Sequence, residues 1–138
     1  METRGKFAND LLTRLGAPTS RRNRQALVAW MQTEGYGGKN NPLNTTMAMP
    51  GSTIFNTHGV RNYVSLDQGL EAAYKTLILS DVRYGYDRVV RRLRQSRPPH
   101  STLTALIDSS WGTTDLVLDV LEDVKRTWPE MASKPAAN

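Results

Sequence analysis

Residues 36–64 carry no helical period, and that break constrains the chain more than any other feature. Within it Gly, Asn, Pro and Thr dominate, as in Gly37-Gly38-Lys39-Asn40-Asn41-Pro42. On both sides, apolar residues recur three and four positions apart, the spacing of amphipathic helices. A chain built this way is expected to be α+β and mainly α, with a helical lobe and a small β-hairpin lobe. Two short strands are expected at residues 52–55 and 60–64, around the turn Asn56-Thr57-His58-Gly59.

The helices follow from periodicity and punctuation. The first is predicted over residues 3–15 through Phe7, Leu11, Leu12 and Leu15, with Gly16 and Pro18 ending it. Thr19 or Ser20 caps a second, whose stripe is Asn23, Ala26, Leu27, Trp30, Met31 and Glu34 and whose stop is Gly35. Ser65 followed by Gln68 forms a capping box for a third, running to about Ser80. A fourth is predicted over residues 86–95 on Val89, Val90 and Leu93, with Pro98 and Pro99 breaking the chain after it. A short fifth starts at Ser101 or Thr102. A sixth covers residues 115–128 with Leu116, Val117, Val120, Leu121 and Val124 on one face. Residues 1–130 are expected to form a single domain, and residues 131–138, rich in Ala, Lys and Pro, a disordered tail.

Composition removes several classes of function. The 138 residues include no cysteine, so thiolate nucleophiles, disulfides and cysteine-based zinc sites are excluded. His58 and His100 are far apart in sequence and suggest no metal site, and no cofactor is expected. No apolar run approaches the roughly 18 residues of a membrane span. Residues 1–10 lack the apolar stretch of a standard secretory signal. The net charge of +5 favours polyanionic partners. Arg88, Arg91, Arg92, Arg94 and Arg97 concentrate that charge on the fourth helix; they are read first as its solvated face and second as a contact for anionic wall polymers through Arg88, Arg91 and Arg92. Nucleic acid is disfavoured, because no aromatic platform or recognised motif accompanies the arginines. No nucleophile-elbow pattern of a serine hydrolase occurs either.

Glu34 is the residue that carries chemistry. Leu27 and Glu34 lie seven positions apart and nearly eclipse on a helix, with Trp30 between them, so Glu34 continues an apolar stripe. Desolvation and the negative end of the helix dipole both raise the pKa of a carboxyl group there. Such a group stays protonated at higher pH and can protonate a glycosidic oxygen. Asn40, Asn41 and Asn44 offer amide donors and acceptors suited to amino sugars, although the same residues build tight turns. Thr45 and Thr46 are candidates to hold a water or sugar hydroxyl. Tyr36 and Tyr63 are read either as sugar-stacking rings or as lobe packing.

The segment from Glu34-Gly35-Tyr36-Gly37 through Asn44-Thr45-Thr46 resembles the stretch after the catalytic glutamate in lysozyme-like domains of phage lysins, phage tail proteins and actinobacterial wall enzymes. The resemblance continues through Gly51-Ser52-Thr53-Ile54-Phe55-Asn56, Gly59-Val60-Arg61-Asn62-Tyr63 and Ser110-Trp111-Gly112-Thr113, and is more distantly similar to autolysin-type glucosaminidases. It implies a lysozyme-like fold with the glycan cleft between the lobes. It also implies Glu34 as catalytic acid on peptidoglycan, with Tyr36, Asn41, Asn44, Thr45, Thr46, Tyr63 and Trp111 as substrate contacts. A phage particle or a host cell at lysis is the implied setting, with virion proteins as further partners. The alternative is a wall-binding or structural virion module that keeps the fold without catalysis.

Glycosidases commonly pair two carboxylates about 5 to 9.5 Å apart. Between Glu34 and Asp67 there is no Asp or Glu, and Asp67 sits in a first helical turn, where the dipole accounts for it. Asp108 and Asp115 are weaker candidates for a second acid. A single-acid reaction is therefore favoured: either lytic transglycosylation or hydrolysis assisted by the substrate's acetamido group.

Overall fold

The computed structural model describes residues 1–35 and 37–138, so Tyr36, a predicted stacking residue, lies outside the described residues. The helices are α1 (Arg4–Arg14), α2 (Arg21–Glu34), α3 (Leu66–Leu77), α4 (Tyr86–Arg94), α5 (Pro99–Asp108) and α6 (Leu116–Arg126). Strands β1 (Thr53–Ile54) and β2 (Arg61–Asn62) pair antiparallel between α2 and α3, with Thr53 opposite Asn62 and Ile54 opposite Arg61. The chain is α+β and mainly α, as its pattern predicts.

Helix α2 is the centre. From Gln25 to Met31 every side chain is buried, which a helix tolerates only when neighbours surround it. Here α1, α5 and α6 do so. Its start is fixed by Ser20, whose side chain accepts from the Asn23 amide, and its end by Gly35 at φ 72°. A positive φ suits glycine, and it turns the chain out of the helix directly after Glu34. Asn23, wholly buried, donates to the carbonyls of Pro18 (2.8 Å) and Leu93 (2.7 Å), tying α2 to α4.

Hydrogen bonds, together with the burial of Leu43, Val60 and Tyr63, hold the β-lobe. Each strand is two residues long, too short to be stable alone. Buried Asn41 donates to the carbonyls of Thr45 and Arg61, both at 2.8 Å, and accepts from the Thr45 amide. Tyr63 is 2% exposed and donates to the Met47 carbonyl at 2.7 Å. Burial pushes its phenol up to about 12, so it remains a neutral donor. Gln68 joins the lobe to α3 by accepting from the Val64 amide and donating to the Pro50 carbonyl, while Ser65 caps the helix.

Three local expectations are corrected. The tail is ordered: residues 131–133 form a 3₁₀ turn, Thr3 pairs with Pro135, and Met131 and Ala136 are buried. Backbone bonds from Arg4 to Lys134 and from Ala136 to Glu2 account for this, and composition does not reveal them. Helix α5 begins at Pro99 rather than Ser101, because proline lacks only an amide that the first turn leaves unused. In α6, Leu116 is exposed, leaving Val117, Leu121 and Val124 as the buried stripe.

Gly69 reports the junction of the lobes, since a Cβ there would lie 1.9 Å from the Asn40 carbonyl oxygen. In an open helix Gly→Ala stabilises by roughly 1 kcal/mol. Gly69→Ala is expected instead to destabilise by about 1–3 kcal/mol, lowering Tm by several degrees. An unchanged or raised Tm would refute the contact.

Candidate active site

Glu34 is the last residue of α2, and its half-buried carboxyl group receives donors from three parts of the chain. Trp30, one turn earlier, donates Nε1–H to Oε1 at 3.2 Å. Thr113, in the segment between α5 and α6, approaches the same oxygen at 3.2 Å through its hydroxyl. Asn44, in the loop before β1, donates its amide to Oε2 at 3.0 Å and to the Glu34 backbone carbonyl at 3.1 Å. Asn44 has φ 55°, a left-handed conformation that asparagine adopts more readily than most residues.

Burial disfavours the ionised carboxylate, while the bonds from Asn44, Thr113 and Trp30 favour it. Burial is the largest effect, and the Glu34 pKa is raised above its ordinary 4.5. The dipole of α2, negative at this end, acts in the same direction.

Trp111 forms the adjoining wall. Its indole packs edge-on to Trp30, with centroids 4.8 Å apart, and its Nε1–H donates to the Leu43 carbonyl at 2.9 Å. Beside it lies a cavity of about 100 Å³, lined by Asn44, Thr45, Thr46 and Thr76 on one side and by Tyr86, Ser110 and Trp111 on the other. Its polar lining consists mainly of hydroxyls. Larger grooves, of about 270 and 280 Å³ between α1 and α3 and about 390 Å³ between α3 and α4, contain neither Glu34 nor its donors. In the first, Lys6 already bridges Glu2 and Asp10.

The sequence candidates thus separate. Asn44, Thr45, Thr46 and Trp111 line one cavity, which Glu34 does not itself line but meets through its bond from Asn44. Asn41 and Tyr63 lie apart from them: both are 2% exposed, with Asn41 engaged by backbone groups and the Tyr63 ring buried. Asp67 pairs with Arg14 on the α1–α3 side, and Asp108 and Asp115 are exposed. Among the described residues, no second carboxylate bonds to Glu34 or lines the cavity beside it. Sequence reasoning misses Thr113 as a donor, although it closes the Ser110-Trp111-Gly112-Thr113 motif. Trp30 and Glu34 lie at the i, i+4 spacing at which helical side chains meet, and the structure adds the hydrogen bond between them.

Family models, curated proteins and solved structures yield no match to this chain. A carboxyl group with a raised pKa, held by three donors near an aromatic wall and a hydroxyl-lined cavity, has the chemistry of a proton donor. No cluster of three or more His, Asp or Glu able to hold a metal ion occurs among the described residues.

The raised pKa sets a sign for stability. Between the ordinary value of 4.5 and the higher folded value, the folded chain holds a proton that the unfolded chain has lost. This contribution to stability is complete below 4.5 and is lost as pH rises through the folded pKa. Thermal melts across that range are expected to show wild type losing stability relative to Glu34→Gln as pH rises. Parallel profiles would contradict the desolvated carboxyl.

Proposed function

We propose that the chain cleaves the glycan strands of bacterial peptidoglycan, with Glu34 as the single protein acid. The observation that carries this reading is the half-buried Glu34 carboxyl, held by Trp30, Asn44 and Thr113 beside a cavity lined by hydroxyls and aromatic rings. Saccharides combine polar rims with apolar ring faces, and such a lining complements both. The likeness of residues 34–46 and 110–113 to lysozyme-like wall enzymes supports the same substrate.

In the proposed reaction protonated Glu34 gives its proton to the glycosidic oxygen as the bond from the anomeric carbon to that oxygen breaks. The leaving sugar departs as an alcohol, and Glu34 becomes a carboxylate. Positive charge develops at the anomeric carbon. The carboxylate then takes a proton from the attacking hydroxyl, which regenerates the acid. Where the attacker is the muramoyl 6-hydroxyl, the product is a 1,6-anhydro sugar. Where it is water, with the substrate's acetamido group stabilising the charge, the product is a reducing end. Neither route needs a second protein carboxylate.

The outer face of α4 extends the reading to anionic wall polymers. Arg88 and Arg91 are exposed there, whereas Arg92 is half-buried and donates to the Ser101 carbonyl. Arg88 and Arg91 are therefore the better placed of the three for polymer contact. Action at the bacterial wall, from a phage particle or during host lysis, belongs to the same proposal.

Glu34→Gln is expected to keep its circular dichroism spectrum and lose at least about 100-fold in activity on purified peptidoglycan. Mass spectrometry of the wild-type digest distinguishes anhydromuramoyl from reducing ends. Near-normal clearance by Glu34→Gln would overturn the assignment, and wall binding without cleavage by wild type would return the chain to a non-catalytic module.

A further inference from the structure

Tyr84 has no role in the site described so far, yet it ends a continuous series of aromatic rings that begins at the acid. Trp30 donates to Glu34 and meets Trp111 edge-on. Trp111 in turn meets Tyr86, with centroids 5.4 Å apart and planes at 67°. Tyr86 then stacks on Tyr84, with centroids 5.4 Å apart and planes only 13° from parallel. The two ends differ in exposure: Trp30 is 1% exposed and Tyr84 40%, with the partly buried Trp111 and the buried Tyr86 between them. Tyr84 lies in a 3₁₀ turn (Val82–Tyr84) whose first turn is capped by Asp81, and its carbonyl accepts from the Ser110 amide at 2.8 Å. The ring is thus presented to solvent from a backbone tied to the wall of the cleft.

The cavity beside the middle rings, Trp111 and Tyr86, indicates the ligand class. It is bordered by Thr46, Thr76 and Ser110 as well as by Tyr86 and Trp111. Thr45, which also lines it and is 2% exposed, has a buried Oγ1 with no hydrogen-bond partner among the described residues. A purely apolar ligand would leave that oxygen unsatisfied. A saccharide presents hydroxyl or acetamido groups to the cavity and an apolar ring face to the tyrosine.

We propose that the glycan site extends from Glu34 along Trp111, Ser110 and Tyr86 to the exposed Tyr84 ring, which stacks on a saccharide unit remote from the cleaved bond. The proposal rests on the glycan reading above. It gives Tyr84 a role in length preference, since only chains long enough to span the cavity reach the ring.

The test measures binding of β-1,4-linked N-acetylglucosamine oligomers of increasing length to the full chain carrying Glu34→Gln, with and without changes at Tyr84. Affinity is expected to rise with length in the parent. Tyr84→Ala should remove the increment for long oligomers, about two- to ten-fold, and leave short ones unaffected. Tyr84→Phe should retain it. Long-oligomer binding unchanged in Tyr84→Ala would overturn the proposal, as would an equal loss at every length. Absence of binding at any length by the parent would overturn the glycan reading itself and this extension with it.

Discussion

The architecture around the site depends on an exchange at Glu34: its carboxyl group gives up much of its water and receives side-chain donors in return. Burial outweighs those donors, so the proton is held more tightly than on an ordinary glutamate. Each donor has a separate anchor. Trp30 is fixed in the core of α2, Asn44 also bonds the backbone at the helix end, and Thr113 is 7% exposed between α5 and α6. A shift of either lobe would therefore alter the acid. This links the packing of α2 to the chemistry at its end.

The β-lobe meets a second constraint, for it buries Leu43, Val60 and Tyr63 but leaves other apolar side chains in solvent. Ile54, Phe55 and Val64 are exposed, and the lobe is held by Asn41, Asn40 and the Tyr63 hydroxyl. Neighbouring asparagines consequently do different work. Asn41 spends its amide on the loop backbone, whereas Asn44 reaches the acid. Close backbone approaches reinforce the arrangement: Gly38 faces the Arg61 carbonyl as Gly69 faces that of Asn40. Replacing these polar contacts with a larger apolar core would require a larger lobe.

What could be read from the sequence was largely local. The Ser20 cap, the Gly35 stop and the Ser65–Gln68 cap each involve residues within a turn of the helix end they serve. Glu34 was legible because Leu27 and Trp30 share its helical face. Features that depend on distant partners were less accessible. Thr113 meets Glu34 across 79 positions, and the final residues gain order from the first few. Asn41 and Tyr63 carried suitable chemistry for a sugar, but burial was set by the carbonyls of Thr45, Arg61 and Met47. The 3₁₀ turn bearing Tyr84 had no periodic signal at all.

The role of Glu34 as an acid depends on its holding a proton above the ordinary glutamate range in the folded chain. A carboxyl carbon NMR titration, with the Glu34 resonance assigned by its loss in Glu34→Gln, measures this without substrate. The predicted midpoint lies above 4.5. A midpoint at or below that value would mean that the three donors outweigh desolvation, and Glu34 would then lack the property on which its role as an acid depends.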